Sequence, residues 1–149
     1  PGNIGVLFSL YVLVVALLQV PAVRILKRYQ RVTVLMLSMI LWGIGFLLIW
    51  LVGLAIGWQL ILIVLAIMIL AIANVTYNPF AVALVTELAP DNSLGIYLSL
   101  NAQCWTVGYL LGPLAGGWSL DQNEHTAHGL WTALFLTTFI GVLLLKQLT

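Results

Sequence analysis

Charge is what this sequence has least of. Five Lys or Arg and four Asp or Glu make up 6% of its 149 residues, while 63% of them are hydrophobic. Soluble domains carry about 25% charged and about 45–50% apolar residues, so a water-soluble globular domain is excluded. Disorder is excluded for the opposite reason, since it requires a polar, highly charged composition. The few basic residues fall short of the patch or stripe that a nucleic-acid binder needs. A single cysteine, Cys104, rules out a disulfide framework and a Cys-based zinc site; among apolar neighbours it reads as an inert small packing residue. The two histidines, His125 and His128, form H-x-x-H with no third ligand cluster beside them, so no metal is expected. There is no phosphate loop and no nucleophile–base arrangement, so neither an enzyme nor a bound cofactor is expected.

What the sequence has instead is apolar length. A bilayer core of about 30 Å takes about 20 apolar residues per helix, and five segments meet that length: 4–23, 32–54, 58–86, 96–120 and 130–145. These runs are apolar on all faces, unlike the short alternating strands of a membrane barrel. The expected fold is therefore an all-α integral membrane protein of five spans, one domain over 1–149, in contact with the lipid bilayer. The connector between the first two spans holds Arg24, Lys27, Arg28 and Arg31, and Lys146 follows the fifth span. An odd number of crossings places all five basic residues on one side, and the retention of Lys and Arg inside makes that side, with the C-terminus, cytoplasmic. Trp50, Trp58, Trp118 and Trp131 flank the opposite connectors, where an indole buries its ring and keeps its N–H at the headgroups.

Polar residues deep in a span face other helices or a water-filled cavity. They concentrate in the third span (Asn74, Thr76, Tyr77, Asn78) and the fourth (Asn101, Gln103, Thr106, Tyr109), with Gln19 in the first. The third and fourth spans are thus expected to be central, and the second and fifth peripheral. Asn74 and Asn78 share a helical face beside Pro79, which deprives the Val75 carbonyl of its intrahelical donor. That pair either binds a solute, forms a hinge or hydrogen-bonds a neighbouring helix. Asn74, Asn78, Asn101 and Gln103 are the candidate transport-path residues. In the fourth span Gly108, Gly112 and Gly116 recur every four residues, with Pro113 and Gly117 among them, forming a strip against which another helix can pack closely. Glu87, Asp91, Asp121 and Glu124 all fall at span ends or in connectors, so no carboxylate sits at mid-membrane.

The stretch Glu87-Leu-Ala-Pro90-Asp-Asn-Ser-Leu-Gly95-Ile-Tyr, followed by Gly108-Tyr-Leu-Leu-Gly112-Pro113-Leu-Ala-Gly116-Gly117, resembles the C-terminal half of the major facilitator superfamily, especially drug-efflux-like bacterial members. There a P-x-x-x-R-G turn leads into a helix carrying G-x-x-x-G-P-x-x-G-G. The loop Lys27-Arg28-Tyr29-Gln30-Arg31 is similar to the degenerate second copy of the family's D-R-x-G-R loop. Two positions depart from the pattern: Lys27 stands where the loop has an acid, and Leu94 where the turn has arginine. The resemblance implies the last five of twelve helices, although the glycine motif, best known from the fifth helix, leaves helices two to six as the other assignment.

The same resemblance implies two six-helix halves that rock around a central cavity, and so a missing N-terminal half as partner. Gly108, Gly112, Pro113, Gly116 and Gly117 then act in helix packing and switching, and Arg28 and Arg31 in the basic loop. The implied function is export of a small-molecule substrate from a bacterial cell across its inner membrane, by a secondary transporter of multidrug type. Any proton-carrying carboxylates would lie in the missing half. The alternative is a non-transporting membrane scaffold or accessory fragment that uses the glycine strip for assembly.

Overall fold

The computed structural model describes residues 2–55, 57–122 and 124–148, and every regular element in them is helical. The elements are α1 (Gly2–Leu26), α2 (Arg31–Val52), α3 (Gln59–Leu88), a 3-10 turn (Asp91–Ser93), α4 (Leu94–Asp121) and α5 (Glu124–Lys146). Helices satisfy their own backbone groups, which is what long apolar segments require in hydrocarbon. α3 stops where Ala89 takes an extended conformation (φ −77°, ψ 130°), the geometry imposed on a residue ahead of a proline, here Pro90. Between α2 and α3, Gly57 has φ +89°, which a side chain would resist.

The five expected segments coincide with the five helices, but the ends differ. α5 begins at Glu124, six residues ahead of the expected span, so its connector to α4 shrinks to residues 122–123. Hydropathy measures the thickness of hydrocarbon, and a helix continues past it wherever the sequence permits. Among the described residues, four helices are long and apolar enough to cross a membrane: α1, α2, α3 and α5. α4 equals them in length at 28 residues, but Asn101, Gln103, Pro113 and its glycines dilute its apolar character.

α2 lies at the centre of the described fold, between α3 on one side and α5 on the other. α1 covers another side of α3, and α4 touches α3 and α5 sparsely. Glycine makes the central position possible. A Cβ at Gly45 would stand 2.5 Å from Leu70 Cδ2 on α3, and one at Gly43 would stand 2.8 Å from Thr138 Oγ1 on α5. These glycines are two residues apart and so point to roughly opposite sides of α2. From α5, Gly141 faces Met39, with a Cβ there 3.2 Å from its sulfur. α3 contributes the fully buried Ala66, Ala71 and Ala73, and Val34, Leu35, Phe80 and Ala81 form a buried cluster between α2 and α3.

The expectation that the third and fourth spans are innermost therefore holds for α3 and not for α4, and the supposedly peripheral α2 is the hub. Polar content reports the environment a helix face meets, whereas the number of neighbours in this chain depends on where the small residues sit. Gln19 of α1 is exposed.

Candidate functional site

A cavity of about 460 Å³ is bounded by α2, α3, α4 and α5. Its walls are rings. Trp42 and Phe46, one turn apart on α2, meet edge-on at 5.8 Å between centroids. Trp42 is tilted against Tyr77 of α3 at 6.5 Å, Tyr77 meets Trp105 of α4 edge-on at 5.8 Å, and Trp105 stacks on Tyr109 at 5.8 Å. Phe46 extends the series to Trp131 of α5 at 6.3 Å. The Tyr77–Trp105 pair also links α4 to α3.

Little in this cavity is polar. Thr137 and Thr138 donate their hydroxyls to the carbonyls of Leu134 and Phe135 in their own helix, each at 2.7 Å. The Asn101 amide lines the cavity and has no hydrogen-bond partner among the described residues. The indole N–H of Trp42 is out of reach of solvent and likewise unpartnered. The thiol of Cys104, read from sequence as an inert small packing residue, is exposed and borders the same space. A volume of this size with apolar aromatic walls and a few convergent polar groups is the usual form of a small-molecule site.

The other candidate path residues lie elsewhere. Asn78 donates from Nδ2 to Asn74 Oδ1, and Asn74 donates from Nδ2 to the hydroxyl of Tyr11 on α1. The two amides and the phenol make a ladder that ties α1 to α3 next to Pro79, which is the interhelical hydrogen bond among the readings the spacing left open. Gln103 is exposed on α4. Of the four candidates, the structure thus brings Asn74 and Asn78 together, sets Asn101 in the aromatic cavity, and leaves Gln103 apart from both.

Gly108, Gly112, Gly116 and Gly117 have no atom within 4 Å of an added Cβ, and Pro113 is exposed. No described helix of this chain covers the strip. The basic loop is better anchored. Arg31 donates from Nη1 to Glu87 Oε2 and to the Ala83 carbonyl, both at 2.7 Å, joining the start of α2 to the end of α3. The side chains of Arg24, Lys27 and Arg28 are exposed and have no partner among the described residues.

Sequence reasoning missed Tyr11, the ring series and Glu87. Glu87 was within reach, because it is the acid at the end of the third span on the same side as the basic loop. At the opposite end, His128 packs on Gly53 and meets Trp50 edge-on at 5.6 Å. The side chain of His125 lies outside the described residues, and no group of three possible metal ligands occurs among those described.

The sequence profile of the Major Facilitator Superfamily matches residues 1–146. Comparison with individual curated proteins and with solved structures returned no significant match.

Proposed function

The chain belongs to the major facilitator superfamily, whose members are membrane transporters and not enzymes, and from that premise we propose that it exports small amphipathic molecules by alternating access as part of a drug-efflux-like secondary transporter. The observation that carries this reading is the aromatic cavity. Its walls bear no formal charge, its rings offer faces and edges to a flat apolar solute, and those same faces attract a delocalised cation. Asn101 supplies the one free amide that could orient such a solute.

The charge distribution supports a chain that spans the membrane with its C-terminus in the cytoplasm, and the resemblance to bacterial members suggests a bacterial inner membrane. Glu87 lies near the end of α3, Asp91 in the 3-10 turn, Asp121 at the end of α4 and Glu124 at the start of α5. A proton antiport mechanism, which the resemblance suggests, would take its mid-membrane carboxylate from outside these helices. The open glycine strip on α4 fits packing against the N-terminal half of the transporter. It also fits a second reading, a scaffold that uses the strip for assembly alone.

Everted membrane vesicles from cells expressing the intact protein, N-terminal half included, test both readings. Energised vesicles should accumulate a fluorescent amphipathic dye, and Asn101→Leu should lower the initial rate about fivefold at equal abundance, equivalent to one intramembrane hydrogen bond of about 1 kcal/mol. An unchanged rate removes the cavity from the path. A protein that moves no solute supports the scaffold.

A further inference from the structure

A second cavity, of about 270 Å³, lies at the end of the bundle where α1 finishes, α2 begins and α3 finishes. Lys27, Tyr29 and Arg31 supply its polar wall, while Val23, Pro79 and Phe80 supply an apolar floor. We propose that this cavity binds the phosphate of an anionic phospholipid headgroup.

The donors at this place are in surplus. Arg24, Lys27, Arg28 and Arg31 face only two acids on the adjoining elements, Glu87 and Asp91. Glu87 is already engaged by Arg31. Arg31 uses Nη1 for both of its bonds, which leaves its remaining N–H groups to donate without breaking the ion pair. The Lys27 ammonium and the Tyr29 hydroxyl have no partner among the described residues, so a phosphate in the cavity meets three separate donor groups. A guanidinium and an ammonium on one phosphate make charge-assisted bonds, stronger than neutral ones.

The floor decides between sources of phosphate. A free inorganic ion gains nothing from Val23, Pro79 and Phe80, whereas the glycerol and first acyl carbons of a lipid would cover them. Lys27, Tyr29 and Arg31 stand where α1 ends and α2 begins, which puts the polar wall at headgroup depth with the floor deeper along α3; basic pockets between helices at that depth take anionic lipids. Each basic residue near an anionic surface contributes about 1 kcal/mol, or about fivefold in affinity.

The test uses the whole chain purified in uncharged micelles, titrated with short-chain phosphatidylglycerol, with phosphatidylcholine of the same chain length, and with inorganic phosphate. Binding is followed by native mass spectrometry. Phosphatidylglycerol should saturate one site, and the choline lipid should bind far more weakly. Lys27→Gln should weaken phosphatidylglycerol about fivefold, and Ala83→Leu should weaken it too, since it fills the cavity and changes no charge. Arg24→Gln, which removes a cation outside the cavity, should leave affinity nearly unchanged. Equal losses in Lys27→Gln and Arg24→Gln, with none in Ala83→Leu, would reduce the effect to diffuse attraction and overturn the site. Inorganic phosphate binding as tightly as phosphatidylglycerol would overturn the lipid as its occupant. Melting curves verify that each variant folds, and Val23→Leu provides a second filling substitution if Ala83→Leu does not.

Discussion

Gly45→Ala should destabilise the helical assembly, and Gly112→Ala should not, although both glycines lie in long apolar helices. At Gly45 the new methyl would fall 2.5 Å from Leu70 Cδ2 and 2.7 Å from Leu70 Cγ. The second atom is mid-chain, so rotating the end of Leu70 is insufficient, and either the whole side chain or the helix must move. Overpacking of this kind costs about 1–3 kcal/mol, and the better helix propensity of alanine returns at most about 1 kcal/mol. The net expectation is a loss of up to about 2 kcal/mol. At Gly112 nothing lies within 4 Å of the added methyl, so only the propensity gain applies.

The measurement is unfolding in mixed micelles by added dodecyl sulfate, followed by helicity and by tryptophan fluorescence. Adding Leu70→Ala to Gly45→Ala should make the double variant more stable than the two single losses sum to, because it removes the atoms that collide. The reasoning fails if Gly45→Ala and Gly112→Ala unfold alike, or if the double cycle shows no coupling. Gly112→Leu still serves the transport reading: it should impair export while leaving the stability of these helices intact, since what it would obstruct lies outside them.

Two further outcomes are expected. Tyr11→Phe removes the acceptor for Asn74 Nδ2 and should cost about 0.6 kcal/mol, the average for an interhelical hydrogen bond in a membrane protein; the same unfolding titration checks it, and a loss above about 2 kcal/mol would mean the phenol does more than cap the ladder. A double cycle on Arg31→Gln and Glu87→Gln should give a coupling below about 1 kcal/mol that shrinks as salt is added, because both side chains are substantially exposed, at 44% and 61%; a large, salt-independent coupling would contradict that exposure.

The positions of all five helices were legible in the sequence, because hydrocarbon thickness forces an apolar run of a minimum length on each. Their ends were less so: the polar first turns of α5 read as connector, yet residues such as Thr126 and Ala127 continue a helix readily. Which glycines matter for packing was not legible. The regular spacing of Gly108, Gly112 and Gly116 drew attention, while Gly43 and Gly45, with no repeat, carry the close contacts, since proximity depends on what stands opposite and not on spacing along one strand of sequence. Asn101 was singled out for its polarity and does line the cavity. Its aromatic companions went unremarked as a group, because Trp42, Tyr77 and Trp105 come from three helices and converge only in the fold.

The contrast between packed and open glycines also bears on how the chain could work. α2 is joined to α3 and α5 by close approaches at Gly43, Gly45 and Gly141 and by small buried side chains, contacts that resist sliding because any shift opens voids in a dense interior. α4 packs sparsely on both α3 and α5, with the Tyr77–Trp105 ring contact on the α3 side, and has no close approach at its glycines. Ring edges tolerate reorientation over a range of centroid separations. The same helix borders the aromatic cavity with Asn101, Trp105 and Tyr109. A movement of α4 would therefore change the cavity's shape while leaving the layer of α2, α3 and α5 intact.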